Sequence, residues 1–257
     1  MLQETRLHRI RGLLSSLGQV STERIAQDLG VSRETVRRDL LALEAEGGLR
    51  RVHGGIVATG GQAEPPLAVR QTVRAKEKRA IARAAARLVQ AGQTLFVDAG
   101  STTAILAEEL AAMTGITVIT NGLLVAQKMA AVHVTRPANH VILLGGQVSA
   151  SLAATCGDVT ISDIHRYHAD IALLSPVGVS AEHGATSFDH AEAAVARAMA
   201  GRAKRLIILA DHSKLGQASR VAYAPAADID VVVTNRHKGK AADRAALQAA
   251  RVEVVQA

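Results

Sequence analysis

The stretch LGVSRETVRRDL, residues 29–40, gathers Arg33, Arg37 and Arg38 into one short segment, with Arg24 close upstream. Gly30 suits the end of one helix, and Ser32 has the side chain to cap the next. Val36, Leu40 and Leu43 then recur at helical spacing and form that helix's inner face. Arg33 and Arg37 share its outward side, about one turn apart. Two short helices joined by a Gly-containing turn, the second basic near its start, predict a helix-turn-helix. In that geometry the second helix enters the major groove and its N-terminal residues meet base edges. Here those residues are Arg33, Glu34, Thr35, Arg37 and Arg38. Arginine pairs bidentately with guanine, and glutamate accepts from cytosine N4. The pattern alone also admits a three-helix protein-interaction module with a solvated basic face.

The flanking sequence extends this unit to residues 3–58. Leu7, Ile10, Leu13, Leu14 and Leu17 follow a helical period that Gly18 stops. Ser21 and Thr22 are N-cap types for the helix whose inner face is Ile25, Ala26 and Leu29. Gly47 and Gly48 close the third helix. LRRVHGGIV, residues 49–57, reads as two strand-like runs around His53, Gly54 and Gly55, a hairpin wing. Ser21, Thr22 and Ser32 stand at helix N-termini, which suit phosphates. Arg50, Arg51, His53 and Gly54 of the wing are placed to follow the DNA backbone or reach the adjacent minor groove.

Composition agrees with a polyanionic partner. The 257 residues carry a formal net charge of +7, with a pI near 10.1. Two Phe, two Tyr and no Trp leave little for stacking on single strands. A single cysteine, Cys156, excludes an internal disulfide framework and fits a reducing cytoplasm. The charged start has no apolar signal region, and no apolar run reaches the ~18 residues of a membrane span.

Residues 59–74 contain TGGQAEPPLAVRQ, rich in Gly and Pro, and are expected to be a linker. From residue 75 to residue 257, short continuous apolar strands alternate with helices. This pattern predicts an α/β domain with a Rossmann-like parallel sheet covered on both faces. One helix is expected to run to Gln90. TLFVD then leads into AGSTT and a helix, which places Asp98 at a strand end, Gly100 in a tight turn, and Ser101, Thr102 and Thr103 at a helix N-terminus. Such an N-terminus is an anion site, and ligands of open α/β sheets lie beyond the carboxyl ends of strands. Further strand ends supply Thr120, Asn121 and Gly122, then Gly145 and Gly146, then Asp211, Ser213 and Lys214. A lysine there supplies compact charge to a phosphate. His165 and His168, three apart on a predicted helix near Asp163, lack the further ligands of a zinc site. Cys156 reads as a buried small hydrophobe. No metal and no cofactor are expected.

The segment VSTERIAQDLGVSRETVRRDLLALEAEGGLRRVHGGIV, residues 20–57, resembles the start of the DeoR family of bacterial repressors. The Val-Ser-Thr start, the Leu-Gly-Val-Ser turn, the Thr-Val-Arg-Arg-Asp-Leu helix and the Arg-x-His-Gly-Gly wing all occur in order. Asp39, within the Arg-Arg-Asp match, is read as an intrahelical partner for an arginine. Across residues 76–235 the Asp-x-Gly-Ser-Thr-Thr, Thr-Asn, Gly-Gly and Asp-His-Ser-Lys segments resemble the family's effector-sensing domain. That resemblance implies a fold like ribose-5-phosphate isomerase and a phosphorylated sugar or polyol effector. SFDHAEAAVARAM matches an acidic-Glu-basic segment through Asp189, Glu192 and Arg197, and its Phe-Asp-x-x-Glu leans toward the glycerol-3-phosphate repressors. Two departures concern the ligand: LLSPVG, with Pro176, and Thr234-Asn235 where an acidic residue is usual. The resemblance implies a repressor of a carbohydrate or polyol operon, a homo-oligomer (dimer or tetramer) on double-stranded operator DNA, its binding set by the effector. The alternative is a sugar-phosphate isomerase-like enzyme with an appended helix-turn-helix, using Asp98, Asp211 and Lys214 as its acid–base groups.

Overall fold

A computed structural model describes residues 3–17, 19–45, 49–52, 55–58, 67–133, 139–149 and 153–257. The chain divides into two compact units, Met1–Arg70 and Gln71–Ala257.

The first unit begins with α1 (Gln3–Leu17), β1 (Gln19–Ser21), α2 (Thr22–Leu29) and α3 (Arg33–Ala45). The wing follows as β2 (Leu49–Val52) and β3 (Gly55–Ala58). The strands form an antiparallel sheet ordered β1-β3-β2, so Ile56 lies between Val20 and Arg51. Ile10, Leu14, Val20, Ile25, Leu29, Val36, Leu40, Leu43, Leu49 and Ile56 make one core. Every apolar position that the helical period selected on α3 is therefore inside. Gly30 ends α2 in the left-handed region, as a C-cap glycine does. The strand β1 has no sequence signature, because three residues are too few to show alternation. Gly18, Gly47, Gly48, His53 and Gly54 lie outside the described residues.

Of the expected linker, residues 59–66 lie outside the described residues. A short helix, α4 (Leu67–Thr72), runs from the last residues of the first unit into the first residues of the second. The second unit continues with α5 (Ala75–Ala86), which stops short of Gln90, then β4 (Thr94–Val97), α6 (Ser101–Ala111), β5 (Thr117–Thr120), α7 (Leu123–His133) and β6 (His140–Leu143). A hairpin of β7 (Gln147–Ser149) and β8 (Ala154–Cys156) precedes α8 (Asp158–His165) and β9 (Ala169–Leu174). Next come β10 (Gly178–Ser180), β11 (Gly184–Ser187), α9 (His190–Gly201), β12 (Ala203–Leu209) and β13 (Val221–Ala224). The unit closes with β14 (Val231–Thr234), α10 (Ala241–Ala249) and β15 (Glu253–Gln256).

Seven strands form one sheet in the order β15-β14-β12-β9-β4-β5-β6, and every neighbouring pair is parallel. Alternate side chains feed two cores. Phe96, Ile119, Leu174, Ile208 and Val232 pack with Ile164, Val195, Met199 and Leu247 of α8, α9 and α10. Leu95, Val97, Val118, Leu173 and Ile207 pack with Ile81, Leu106, Leu110, Val125 and Met129 of α5, α6 and α7. Both faces are covered, which explains why the strands read as continuous apolar runs. A smaller antiparallel sheet, β10-β11-β13, lies outside the sequence expectation. So does the β7–β8 hairpin.

Two expectations, one on α8 and one on β8, are corrected. The helix ends at His165, so His168 is not on it, and the His168 ring instead meets the Arg202 guanidinium at 2.7 Å. Cys156 is half-buried rather than buried, its Sγ 3.4 Å from the Gln147 carbonyl. Among the described residues no group of three or more His, Cys, Asp or Glu could hold a metal. None of the described helices is long and apolar enough to cross a membrane.

Candidate functional sites

In the first unit, capping fixes the two helices of the motif. Ser21 Oγ accepts the Arg24 amide at 3.2 Å, and Ser32 Oγ accepts the Thr35 amide at 3.2 Å. The Ser32 and Thr35 hydroxyls also meet, at 2.9 Å. These side chains thus serve the helix starts in this state. Thr22 and Thr35 are half-buried, while Arg33, Glu34, Arg37 and Arg38 are exposed. Arg33 pairs with Glu23 of α2 at 2.7 Å, with both side chains largely in solvent. Such a pair contributes at most ~1 kcal/mol and yields readily to a phosphate. Among the described residues Arg37 and Arg38 form no ion pair. Arg50 and Arg51 lie on β2, opposite Val57 and Ile56.

Asp39 requires a correction. It is 1% exposed and bonds to Arg6 of α1, not to an arginine of its own helix. Arg6 Nε donates to Oδ2 at 2.7 Å and Nη2 to Oδ1 at 3.0 Å. The hydrogen bonds to Asp39 raise the Arg6 guanidinium further above its ordinary pKa. The signal was in the sequence. Val36, Asp39, Leu40 and Leu43 are a helical stripe, and Asp39 occupies one of its inward positions.

In the second unit the parallel sheet brings all carboxyl ends to one edge. Across it run Asn235, Asp211, Ser175, Asp98, Asn121 and Gly145, each just beyond its strand. Asp98 Oδ2 accepts the Ser175 amide at 2.7 Å, which ties the β4 loop to β9. Gly100 has no room for a side chain, since a Cβ there would stand 2.9 Å from Ser175 Cβ. Its amide donates to Thr103 Oγ1 at 2.8 Å. Ser101, Thr102 and Thr103 are almost wholly buried. The first-turn amides of a helix lack acceptors within the helix. Thr102 Oγ1 is buried with no hydrogen-bond partner among the described residues, and so is Asn121 Oδ1.

Other expected residues are engaged in holding the loops. Thr120 Oγ1 accepts the Gly122 amide at 2.9 Å, and Asn121 Nδ2 donates to the Thr155 carbonyl at 2.9 Å. The Gly145 carbonyl accepts Thr160 Oγ1 at 2.7 Å. Gly146 has φ +139, and a Cβ on it would lie 2.1 Å from Thr160 Oγ1. Asp189 caps α9, accepting the amides of Ala191 and Glu192 at 2.8 and 3.0 Å. Glu192 Oε2 accepts Ser187 Oγ at 3.2 Å, and Arg197 donates to the Ala222 carbonyl on β13. Glu192 and Arg197 thus join α9 to the small sheet, and Asp189 caps the helix.

At the β12 end, Asp211 is 2% exposed and accepts the Ser213 amide at 3.0 Å and its hydroxyl at 2.6 Å. Burial pushes the Asp211 carboxyl up, but the Ser213 hydrogen bonds and the charges of Lys214 and Arg74 outweigh it and hold it below the ordinary range. Lys214 Nζ donates to the backbone carbonyl of Pro176, within LLSPVG. Asn235 Oδ1 accepts the His212 amide at 2.8 Å, work an acidic residue would also do. The His212 and His237 rings stack with centroids 4.1 Å apart. Sequence reading missed Arg74, which approaches Asp211, and Lys78, which is 4% exposed on the first turn of α5. Lys78 shares a stripe with Ile81, Ala82 and Ala85, as Asp39 does on α3.

A winged helix-turn-helix joined in one chain to an α/β unit with a polar strand-end edge defines a DNA-binding regulator with its own sensor. Residues 6–60 match the DeoR-like helix-turn-helix domain, and residues 73–236 match the DeoR C terminal sensor domain. The chain belongs to the DeoR family of helix-turn-helix transcriptional repressors. It is 37% identical to the HTH-type transcriptional repressor GlcR of Bacillus subtilis, over 92% of this chain and 90% of that one. The HTH-type transcriptional regulator GolR of Listeria innocua is 35% identical, over 92% of each chain. The glycerol-3-phosphate regulon repressor of Escherichia coli is 29% identical, over 91% of this chain and 92% of that one. Similar solved structures include ribose 5-phosphate isomerase A of Methanocaldococcus jannaschii, with a TM-score of 0.38 and 17% identity. That overlap covers 53% of this chain and 52% of that one.

Proposed function

We propose that this protein represses a carbohydrate or polyol catabolic operon and that a phosphorylated sugar or polyol, bound in the second unit, sets its affinity for operator DNA. The reading makes residues 3–58 the DNA-binding domain, 59–74 the linker and 75–257 the sensor. The exposed face of α3 reads the major groove through Arg33, Glu34, Arg37 and Arg38, and the wing follows the backbone through Arg50, Arg51 and His53. A homo-oligomer in the cytoplasm engages repeated half-sites, because one small motif reads few base pairs. The protein acts by binding rather than turnover.

One observation carries the effector site: the buried N-terminus of α6, where Thr102 Oγ1 has no hydrogen-bond partner among the described residues. A buried hydroxyl left unmatched is costly, and helix-start amides favour an anion. Asn121 and Lys214 flank that position across the strand ends, and Asp98 and Gly100 shape its loop. Glycerol 3-phosphate is one candidate, favoured by the match to the repressor of that regulon. The test is a thermal-shift screen of phosphorylated sugars and polyols against their unphosphorylated parents. A ligand at about 100 times its dissociation constant stabilises by ~2.7 kcal/mol. Shifts confined to phosphorylated compounds are expected, and equal shifts with the parents would sink the anion assignment.

A further inference from the structure

The carboxyl end of β12 carries more positive charge than its own loop accounts for. Asp211 is satisfied by Ser213 and lies beside Lys214. Arg74 reaches the same carboxylate from a distant part of the chain, its Nε 3.7 Å from Oδ1. That separation exceeds a hydrogen bond, and the Arg74 side chain is 39% exposed. An arginine has five N–H donors, so most of its binding capacity is uncommitted to Asp211. One carboxylate thus stands among two cations, a local excess of +1 that attracts an anion.

The backbone of Arg74 is equally specific. It adopts φ 53 and ψ 40, a left-handed conformation unfavourable to residues other than glycine or asparagine. It does so between α4, which ends at Thr72, and α5, which begins at Ala75. Tertiary structure, not local preference, therefore holds this side chain at the strand ends. The strands β12 and β4 are two positions apart in the sheet, about 10 Å. An anionic ligand of a few atoms, seated at the start of α6, closes that gap.

We infer that Arg74 is a second cationic ligand of the effector, and that its exchange of Asp211 for the bound anion passes occupancy on to α4. The inference rests on the anion site of the proposed function. A guanidinium binds a phosphate bidentately, which a 3.7 Å contact to an already hydrogen-bonded carboxylate does not match. A ligand shifts a conformational equilibrium only through contacts that differ between the two states, and this exchange is such a contact. Arg74 follows α4 by two residues, on the side that leads to the DNA-binding unit.

The experiment uses the full chain with inorganic phosphate and glycerol 3-phosphate as probes. Titration calorimetry gives their dissociation constants for the wild type, Arg74→Gly, Arg74→Lys and Lys214→Ala. Hydrogen exchange follows the amides of Leu67–Thr72 with and without probe. Arg74→Gly keeps the left-handed backbone and removes the guanidinium; Arg74→Asn, which also tolerates that region, repeats the test independently. Expected are about tenfold weaker binding in Arg74→Gly and Arg74→Asn, the scale of one charge-assisted contact, and partial recovery in Arg74→Lys. Probe-dependent exchange in α4 should occur in the wild type and vanish in Arg74→Gly. If Arg74→Gly binds as the wild type does while Lys214→Ala is weakened, the inference is overturned and the anion site stands. Should the wild type bind neither probe, the anion site falls and the inference with it. Weakened binding with unchanged α4 exchange in the wild type overturns the coupling.

Discussion

Arg37 and Arg38 are exposed on α3 and make no ion pair among the described residues, which leaves their charge available to DNA. Arg33 must leave Glu23, an exposed pair of little strength. Arg37→Ala is therefore expected to weaken operator binding by ~1–3 kcal/mol and to relax preference at one base pair. Arg51→Ala on β2 is expected to weaken binding to all sequences alike and to flatten the salt dependence. Titrations against operator variants at several salt concentrations separate the two, and an Arg37→Ala protein with wild-type affinity and preference would remove α3 from the groove. A residue-scale test of the second unit is Gly146→Ala. The substitution places a Cβ into Thr160 Oγ1, 2.1 Å away, at a φ of +139. It should lower the melting temperature and loosen the Gly145–Thr160 bond; a variant as stable as the wild type would refute the crowding.

Elements show which parts of the fold were legible. Strands β4, β5, β9, β12 and β14 declared themselves because burial on both faces makes a short, unbroken apolar run. Helix α3 declared itself through Val36, Leu40 and Leu43. What escaped were elements too short for a period, such as β1, β7 and β10, and charged residues inside apolar stripes. Asp39, expected to pair within its own helix, and Lys78, for which no role was expected, each sit at an inward position of their helices. Position in the stripe, not residue type, was the better guide. Asp39→Ala tests this. It leaves Arg6 without its bidentate acceptor at the α1–α3 contact, so the first unit should melt several degrees lower. Replacing both residues together, by Arg6→Met and Asp39→Leu, should recover much of the loss, since an apolar pair asks for no hydrogen bonds. A single variant as stable as the wild type would show that the pair does not join the helices. Asp170 offers a pH test at the same scale. It accepts the Thr94 amide and Lys204 Nζ, both at 2.9 Å, which joins β4, β9 and β12 at their amino ends. The Thr94 hydrogen bond and Lys204 hold its carboxyl below the ordinary range. Because the folded pKa is the lower one, this stability is present above the unfolded pKa and is lost as pH falls through the folded one. Asp170→Asn should therefore be less stable at neutral pH and show a shallower acid limb; parallel limbs for both proteins would exclude Asp170 from acid unfolding.

At the scale of the whole molecule, the arginines of α3 and the strand-end edge belong to different compact units. The strand-end loops were legible as a set because a parallel sheet must bring its carboxyl ends to one edge. Arg74 was not, since it lies between α4 and α5 and reaches the edge only through tertiary structure. This separation gives the regulator a test that no stability measurement replaces. Thr102→Ala and Lys214→Ala alter the sensor alone, so each should bind operator DNA like the wild type when no effector is present. With effector, the wild type should shift its operator affinity and both variants should shift it less. Losing one charge-assisted phosphate contact costs about 1.5–3 kcal/mol, roughly ten- to a hundredfold in effector affinity. The shift should consequently return at correspondingly higher effector concentration, because the coupling between the sites is intact and only occupancy is reduced. If Thr102 and Lys214 merely pack their loops, the variants would melt lower and respond to effector at wild-type concentrations. Operator titrations across an effector series distinguish these outcomes: a displaced midpoint with an undiminished plateau locates both residues in the ligand site, and an unmoved midpoint removes them from it.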